Sequence, residues 1–243
     1  MKRLVMFLIF GVMISTLSAQ NTTPVSDAVQ QVAPKPKTDK LKNFHGVKID
    51  GPMNVTFVRV ESWNDARITY DTKGCETSKF KYNIDRSGVL AVSEKSDSKR
   101  TSVTDVTIYY RTLDDVKVAH AKVEFKECVM CDMFDISLSG GAIVSLSIDA
   151  LDVAVECTGR SNLTLSGDSK YLTMRASAAK VDCGMLSTVA TTVDTSNSAE
   201  VRVWVSERLE VTTSTGGKLL YRGTPTILRH HKVLFGGDII NIN

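Results

Sequence analysis

The side chains that could do chemistry in this chain are few, and their spacing narrows what they can do. Asp132, Asp135, Asp149 and Asp152 are close in sequence. On a repetitive β scaffold, an acidic group of this kind beside a Lys or Arg can bind Ca²⁺ or act as paired acid and base on a polysaccharide. Cys128 and Cys131 form a CxxC. By itself this is half of a zinc site, and its surroundings read as strand or turn, not as the helix N-terminus that lowers a thiol pKa. Structural thiols are the first reading and a Cys128–Cys131 disulfide the second. Together with Cys75, Cys157 and Cys183 they make five cysteines after residue 19, so at least one is unpaired. His230 and His231 are neighbours in a strand and point to opposite faces, while His45 and His120 stand alone with no Ser or Cys motif beside them. Trp204, between Val203 and Val205, points outward and is a candidate platform for a sugar ring or a partner, unless a tether or capping sheet covers it. Trp63, in ESWNDAR, is a second candidate. The residues therefore name no catalytic group, no metal site and no cofactor, and only Trp204 and Trp63 as ligand-binding candidates.

The ends of the chain set its compartment. Lys2 and Arg3 precede an apolar stretch from Leu4 to Leu17, and Ser18-Ala19 leads into polar sequence. This is the layout of a secretory signal peptide over residues 1–19, with a core too short for a comfortable membrane span. Its removal lowers the formal net charge from +3 to +1. That leaves no basic surplus for nucleic acid or anionic lipid, and no membrane span. Residues 20–41 hold three of the five prolines and no aromatic residue, the composition of a flexible tether.

What must position the candidate residues is a repeat. From residue 44 onward the pattern alternates with period two, punctuated by turn residues. Small-residue turns at SGGAIVS, GRSNLTL, SAAKVDC, NSAEVRV, TGGKLLY and FGGDIIN each lead into a strand, and the first apolar residues are Ile143, Leu163, Val181, Val201, Leu219 and Ile239. A second strand in each unit centres on Ile136, Val153, Met174, Val193 and Val211. Two strands per unit of 18–20 residues describe a coil of a parallel β-solenoid, in which no coil buries its inward residues without its neighbours. The residues before the anchors (Ala142, Asn162, Lys180, Glu200, Lys218, Asp238) then form an outward row whose last four alternate in charge. Asp182 with Arg202 and Arg175 with Asp194 are further opposite pairs.

The fold expected is all-β: a parallel, right-handed β-helix of about five to six coils over residues 126–243, capped by an N-terminal β-sheet over 42–125. In that cap, Gly51-Pro52 turns between two strands and Asp85-Arg86-Ser87-Gly88 closes a hairpin. The last strand, GGDIININ, and Pro225 would blunt the far end.

The sequence resembles the family described as "Putative auto-transporter adhesin, head GIN domain", whose members are exported proteins mostly of Bacteroidetes type. The matching segments are FHGVKIDGPMNVTFVR, SGVLAVSE, DVTIYYRTLDDVKV, the small-residue turns, and LLYRGTPTI followed by FGGDI, together covering about residues 42–242. Several Ser-Gly turns are eroded, as at Ser177-Ala178-Ala179 and Ser196-Asn197-Ser198. The resemblance implies a β-helical fold and a location in the periplasm, at the outer membrane or on the cell surface, and it brings no catalytic residues. The functional expectation is a non-catalytic, adhesin-like module that binds a glycan or an envelope or host protein. The alternatives are a carbohydrate-active β-helix enzyme using the Asp132–Asp152 region and a purely structural envelope protein.

Overall fold

The computed structural model describes residues 35–73, 79–96, 98 and 102–243. Residues 1–34, which contain the expected signal peptide and most of the expected tether, and Cys75 lie outside the described residues. The strands in chain order are β1 (Lys37–Lys40), β2 (Gly46–Asp50), β3 (Met53–Arg59), β4 (Arg67–Asp71), β5 (Phe80–Ile84), β6 (Val89–Glu94), β7 (Thr104–Tyr110), β8 (Asp115–Ala119) and β9 (Lys122–Phe125). They continue with β10 (Val129–Ser139), β11 (Ile143–Thr158), β12 (Asn162–Ser177), β13 (Lys180–Ser196), β14 (Glu200–Thr213), β15 (Lys218–Arg222), β16 (Ile227–Lys232) and β17 (Ile239–Asn241). No helix among the described residues is long and apolar enough to cross a membrane.

The long strands β11 to β14 stack in parallel, each forming parts of two successive coils. The inward phase shows where a strand bends. In β11 the even positions Val144, Leu146, Ile148 and Ala150 are buried, then the odd positions Val153, Val155 and Cys157. The unpaired residue Leu151 therefore marks where the chain turns from one flank of the coil to the other. Flank I follows each small-residue turn and flank II leads into the next one. The solenoid has about seven turns.

The observed registers correct two of the anchors read from sequence. On flank I, Val144 stacks on Leu163, and the column continues through Val181, Val201, Leu219 and Ile239. Ile143 instead sits over Asn162 and is 46% exposed, while Ala142 is fully buried. The residue after each turn's inward small residue (Ala142, Ser161, Ala179, Ala199) points outward, and in this coil alone that residue is apolar. On flank II, Ile136, Val155, Met174, Val193 and Val211 form one column, so Val153 lies on the expected face but one inward pair too early. The corrected interval is nineteen residues at three of the four steps.

The N-terminal region departs further from expectation. Gly51-Pro52 turns between β2 and β3 as expected, but these strands do not pair with each other: β2 pairs in parallel with β6 and β8, and β3 with β7 and β9. These strands continue flanks II and I, because β8 stacks on β10 and β9 on β11. Most of 42–125 is thus solenoid. Its coils are out of chain order, with β2–β3 wedged between β6–β7 and β8–β9. The antiparallel sheet at this end is smaller than expected. It comprises β5 on β6 (through the expected Asp85–Gly88 turn) and β4 on β7, with β1 added to β4. Lys37–Lys40, read as tether, is this added strand. Its Asp39 accepts a 2.6 Å hydrogen bond from the Tyr82 hydroxyl of β5.

Candidate functional site

Because the solenoid backbone is nearly flat, relief on its surface comes from side-chain length. On flank II the outward residues form columns. One runs Lys48, Lys117, Ser137, Glu156, Arg175, Asp194. A second runs Gly46, Asp115, Asp135, Ala154, Thr173. A third runs Asp50, Ala119, Ser139, Thr158, Ser177. Short side chains (Ser137, Ala154, Ser139, Ala119) occupy the middle rungs and long charged ones stand around them. The result is an open depression of about 710 Å³, continued by one of about 310 Å³, with Lys117, Ser137 and Glu156 lining both.

The charge arrangement differs from that of the later coils. Downstream, signs alternate between rungs at Glu156, Arg175 and Asp194 on flank II and at Lys180, Glu200 and Lys218 on flank I, with Asp149 over Asp168 as the exception. Arg202 donates to Asp182 at 3.1 Å across one rung. In the depression, like charges meet on neighbouring rungs, Lys48 over Lys117 and Asp115 over Asp135. Each such juxtaposition costs a few tenths of a kcal/mol to about 1 kcal/mol. Lys117 offsets part of this by donating to Asp115 Oδ2 at 2.7 Å, yet the other Asp115 oxygen is buried without a partner.

His45 closes one end of the depression. Its Nδ1 lies 2.8 Å from Asp114 Oδ1 and its Nε2 lies 2.8 Å from the Ser87 carbonyl. Both partners are acceptors, so only the doubly protonated ring donates to both. The Asp114 bond above all, with the Ser87 carbonyl next, raises the His45 pKa above its ordinary value.

The sequence-derived candidates are dispersed. Asp135 enters the depression, but Asp149 and Asp152 pair with Met130 and Met133, not with Asp132 or Asp135. Among the described residues no three His, Cys, Asp or Glu side chains are grouped to hold a metal ion. Asp149 lies over Asp168 beside Lys170, in a separate hollow of about 270 Å³. Cys128 and Cys131 are free thiols here, and burial pushes Cys131 up to about 11. Cys183 is fully buried opposite Val203. Trp204 faces outward on flank I and is half-buried, with the Arg222 guanidinium stacked 4.2 Å above its ring from the next rung. Trp63 packs edge-on to Phe44 at 6.2 Å against the core. Sequence reading missed the depression because Lys48, Lys117, Ser137 and Glu156 come from four strands. Only the out-of-order coil brings Lys48 beside Lys117.

The profile of the family described as "Putative auto-transporter adhesin, head GIN domain" matches residues 43–225. The chain belongs to this family. The matched span takes in both parts of this head GIN domain, the out-of-order coils and the regular ladder up to β15. Three solved structures share the fold. A protein titled a putative adhesin from Bacteroides fragilis is 17% identical, with a TM-score of 0.78, covering 86% of this chain and 96% of its own. One with the same description from Parabacteroides distasonis is 15% identical, with a TM-score of 0.68 over the same shares. A protein titled a putative lipid binding protein, also from Parabacteroides distasonis, is 12% identical, with a TM-score of 0.61, covering 88% of this chain and 98% of its own. No curated protein is significantly similar to the chain.

Proposed function

We propose that this head GIN domain is an exported, non-catalytic binding module of the cell envelope. In this reading it recognises a glycan or a protein partner through the flank II depression. The carrying observation is the stacking of two like-charged pairs, Lys48 on Lys117 and Asp115 on Asp135, side by side inside a concave surface, on a ladder whose later rungs alternate in sign except at Asp149 over Asp168. A surface selected for stability alone separates like charges. A ligand with both acceptor and donor groups offsets this repulsion, the lysines binding carboxylate or hydroxyl oxygens and the aspartates accepting from hydroxyl or amine groups. A polyhydroxylated glycan has this chemistry, and so does a mixed-charge protein surface. The family description and the adhesin titles of the fold's relatives agree with such a role. Trp204 and Trp63 are secondary anchors, with Trp204 presenting the Trp–Arg edge on the opposite flank.

The test is binding of the protein to a glycan array and to solubilised envelope proteins, with Lys117→Ala/Asp135→Ala and Trp204→Ala variants alongside. Binding lost in the double variant, with circular dichroism unchanged, supports the depression. Binding retained by the double variant and lost in Trp204→Ala moves the site to flank I. Turnover of a polysaccharide by the wild type refutes the non-catalytic reading.

A further inference from the structure

Among the described residues, the strands at the far end of the solenoid have no further neighbour. The Pro225 and GGDIININ segment, expected to blunt it, does not do so. Among the described residues β16 pairs only with β14 and β17 only with β15, leaving one edge of each strand without a neighbour. All six residues of β16 are exposed. In its inward column Leu228 is 44% exposed, whereas Leu209 one rung below is fully buried. The corner between the two strands is stranger. Earlier corners place Gly, Ala, Asn, Ser, Thr, Arg or His in the left-handed region, as at His120, Gly159, Ala178, Asn197 and Thr215, and the His120 ring is held there by Asp50 at 3.1 Å. The last corner places Phe235 there, with φ 54 and 89% of its surface exposed, next to Leu234 at 77%. An aromatic side chain held in a disfavoured backbone conformation and left in water gains nothing from the described residues.

We propose that this end is a two-fold interface between two copies of the chain, with β16 of each copy pairing antiparallel with β17 of the other. The geometry favours a second copy over a single added strand. Two edges are open at once, on opposite flanks, with the last core layer bare between them. One strand would satisfy one edge, whereas another solenoid end brings two edges at the same spacing and an apolar layer to match. The two flanks of a coil run in opposite directions, so a two-fold axis along the strands sets β16 against β17 of the second copy in antiparallel pairing. Charge selects this arrangement over β16 on β16. Within the chain Arg229 already pairs with Glu210 at 3.0 Å and Lys232 with Asp238 at 3.5 Å. Pairing β16 on β16 would set these cations against their own kind, whereas β16 on β17 places Asp238, 80% exposed at its side chain, opposite Lys232 of the other copy. Leu234 and Phe235 would then be buried by the opposite copy. The consequence for the binding role is a bivalent particle in which flank II of one copy continues flank I of the other, so the two depressions face opposite sides and would bridge two ligands.

Light scattering on residues 20–243 after size exclusion, over a range of concentrations, tests this. The expected result is twice the mass of one chain, falling to the monomer mass in Leu234→Asp/Phe235→Asp with the far-UV spectrum unchanged. Asp238→Lys is expected to weaken the dimer at least about tenfold, and mixing it with Lys232→Asp chains, which restores opposite charges between copies but leaves like charges within each chain, to recover it. A wild type that is monomeric throughout overturns the proposal. So does a dimer indifferent to Asp238→Lys, a decisive result even where the apolar variant fails to fold. Dimer formation only after removal of residues 20–34 also overturns it, because that segment would then be the occupant of the end.

Discussion

The two ends of this solenoid are finished differently. At the N-terminal end the strands reverse direction, and the added strand is the short, charged sequence KTDK, a composition that discourages further pairing. Beneath it the core is aromatic: Phe57 stacks on Phe125 at 4.4 Å, and Tyr70 on Phe80 at 4.7 Å. At the C-terminal end the last described strands lie in parallel register on a core of Leu, Val and Ile. A regular ladder can be extended by repetition, but closing it requires residues that break the rule. Among the described residues, those are found at the N-terminal end.

The sharpest test of this contrast uses two leucines of one column. Leu209→Ala removes a side chain fully buried between rungs and is expected to cost about 2–5 kcal/mol by denaturant unfolding. Leu228→Ala, one rung further, is expected to cost less than about 1 kcal/mol in dilute protein, since its side chain is already 44% exposed. Similar losses at the two positions would mean that the last rung is covered in the isolated chain. Next in size is the Asp182–Arg202 pair. Both partners are more than a third exposed, so Arg202→Ala should cost at most about 1 kcal/mol, and less at high salt. The smallest effect concerns the N-terminal half. Because His45 has a raised pKa, its stabilisation is present in full below its ordinary value near 6.5 and is lost as pH rises through the folded value. Wild type should therefore exceed His45→Asn in melting temperature at pH 5.5, the gap closing at alkaline pH. An NMR titration placing the His45 pKa at or below 6.5 would contradict this.

The ladder from Val144 to Ile239 was legible because each rung repeats the same local instructions: a small inward residue at the corner, a polar outward residue, then an apolar inward one. Ile143 broke that rule at one position and shifted the anchor of one coil. The coils of 44–125 were illegible as solenoid for a different reason. Period is visible only when spatial neighbours are also sequence neighbours at a fixed distance, and β2 lies between strands that follow it by about 43 and 69 residues. The depression inherited this opacity, since Lys48 and Lys117 meet only through that insertion. Trp204 was read correctly as outward-facing, but no sequence signal revealed that Arg222 would lie on its ring.

The wedged coil also has a mechanical consequence. If the chain is anchored through the segment before residue 35, a pull on a bound ligand is transmitted along the polypeptide into β1 and then β2–β3. β1, a four-residue edge strand, can detach with little loss. β2 and β3 are gripped from above and below, so they must slide past two neighbours at once, breaking both sets of hydrogen bonds in shear. An attachment protein built this way would give a little slack under load and then lock.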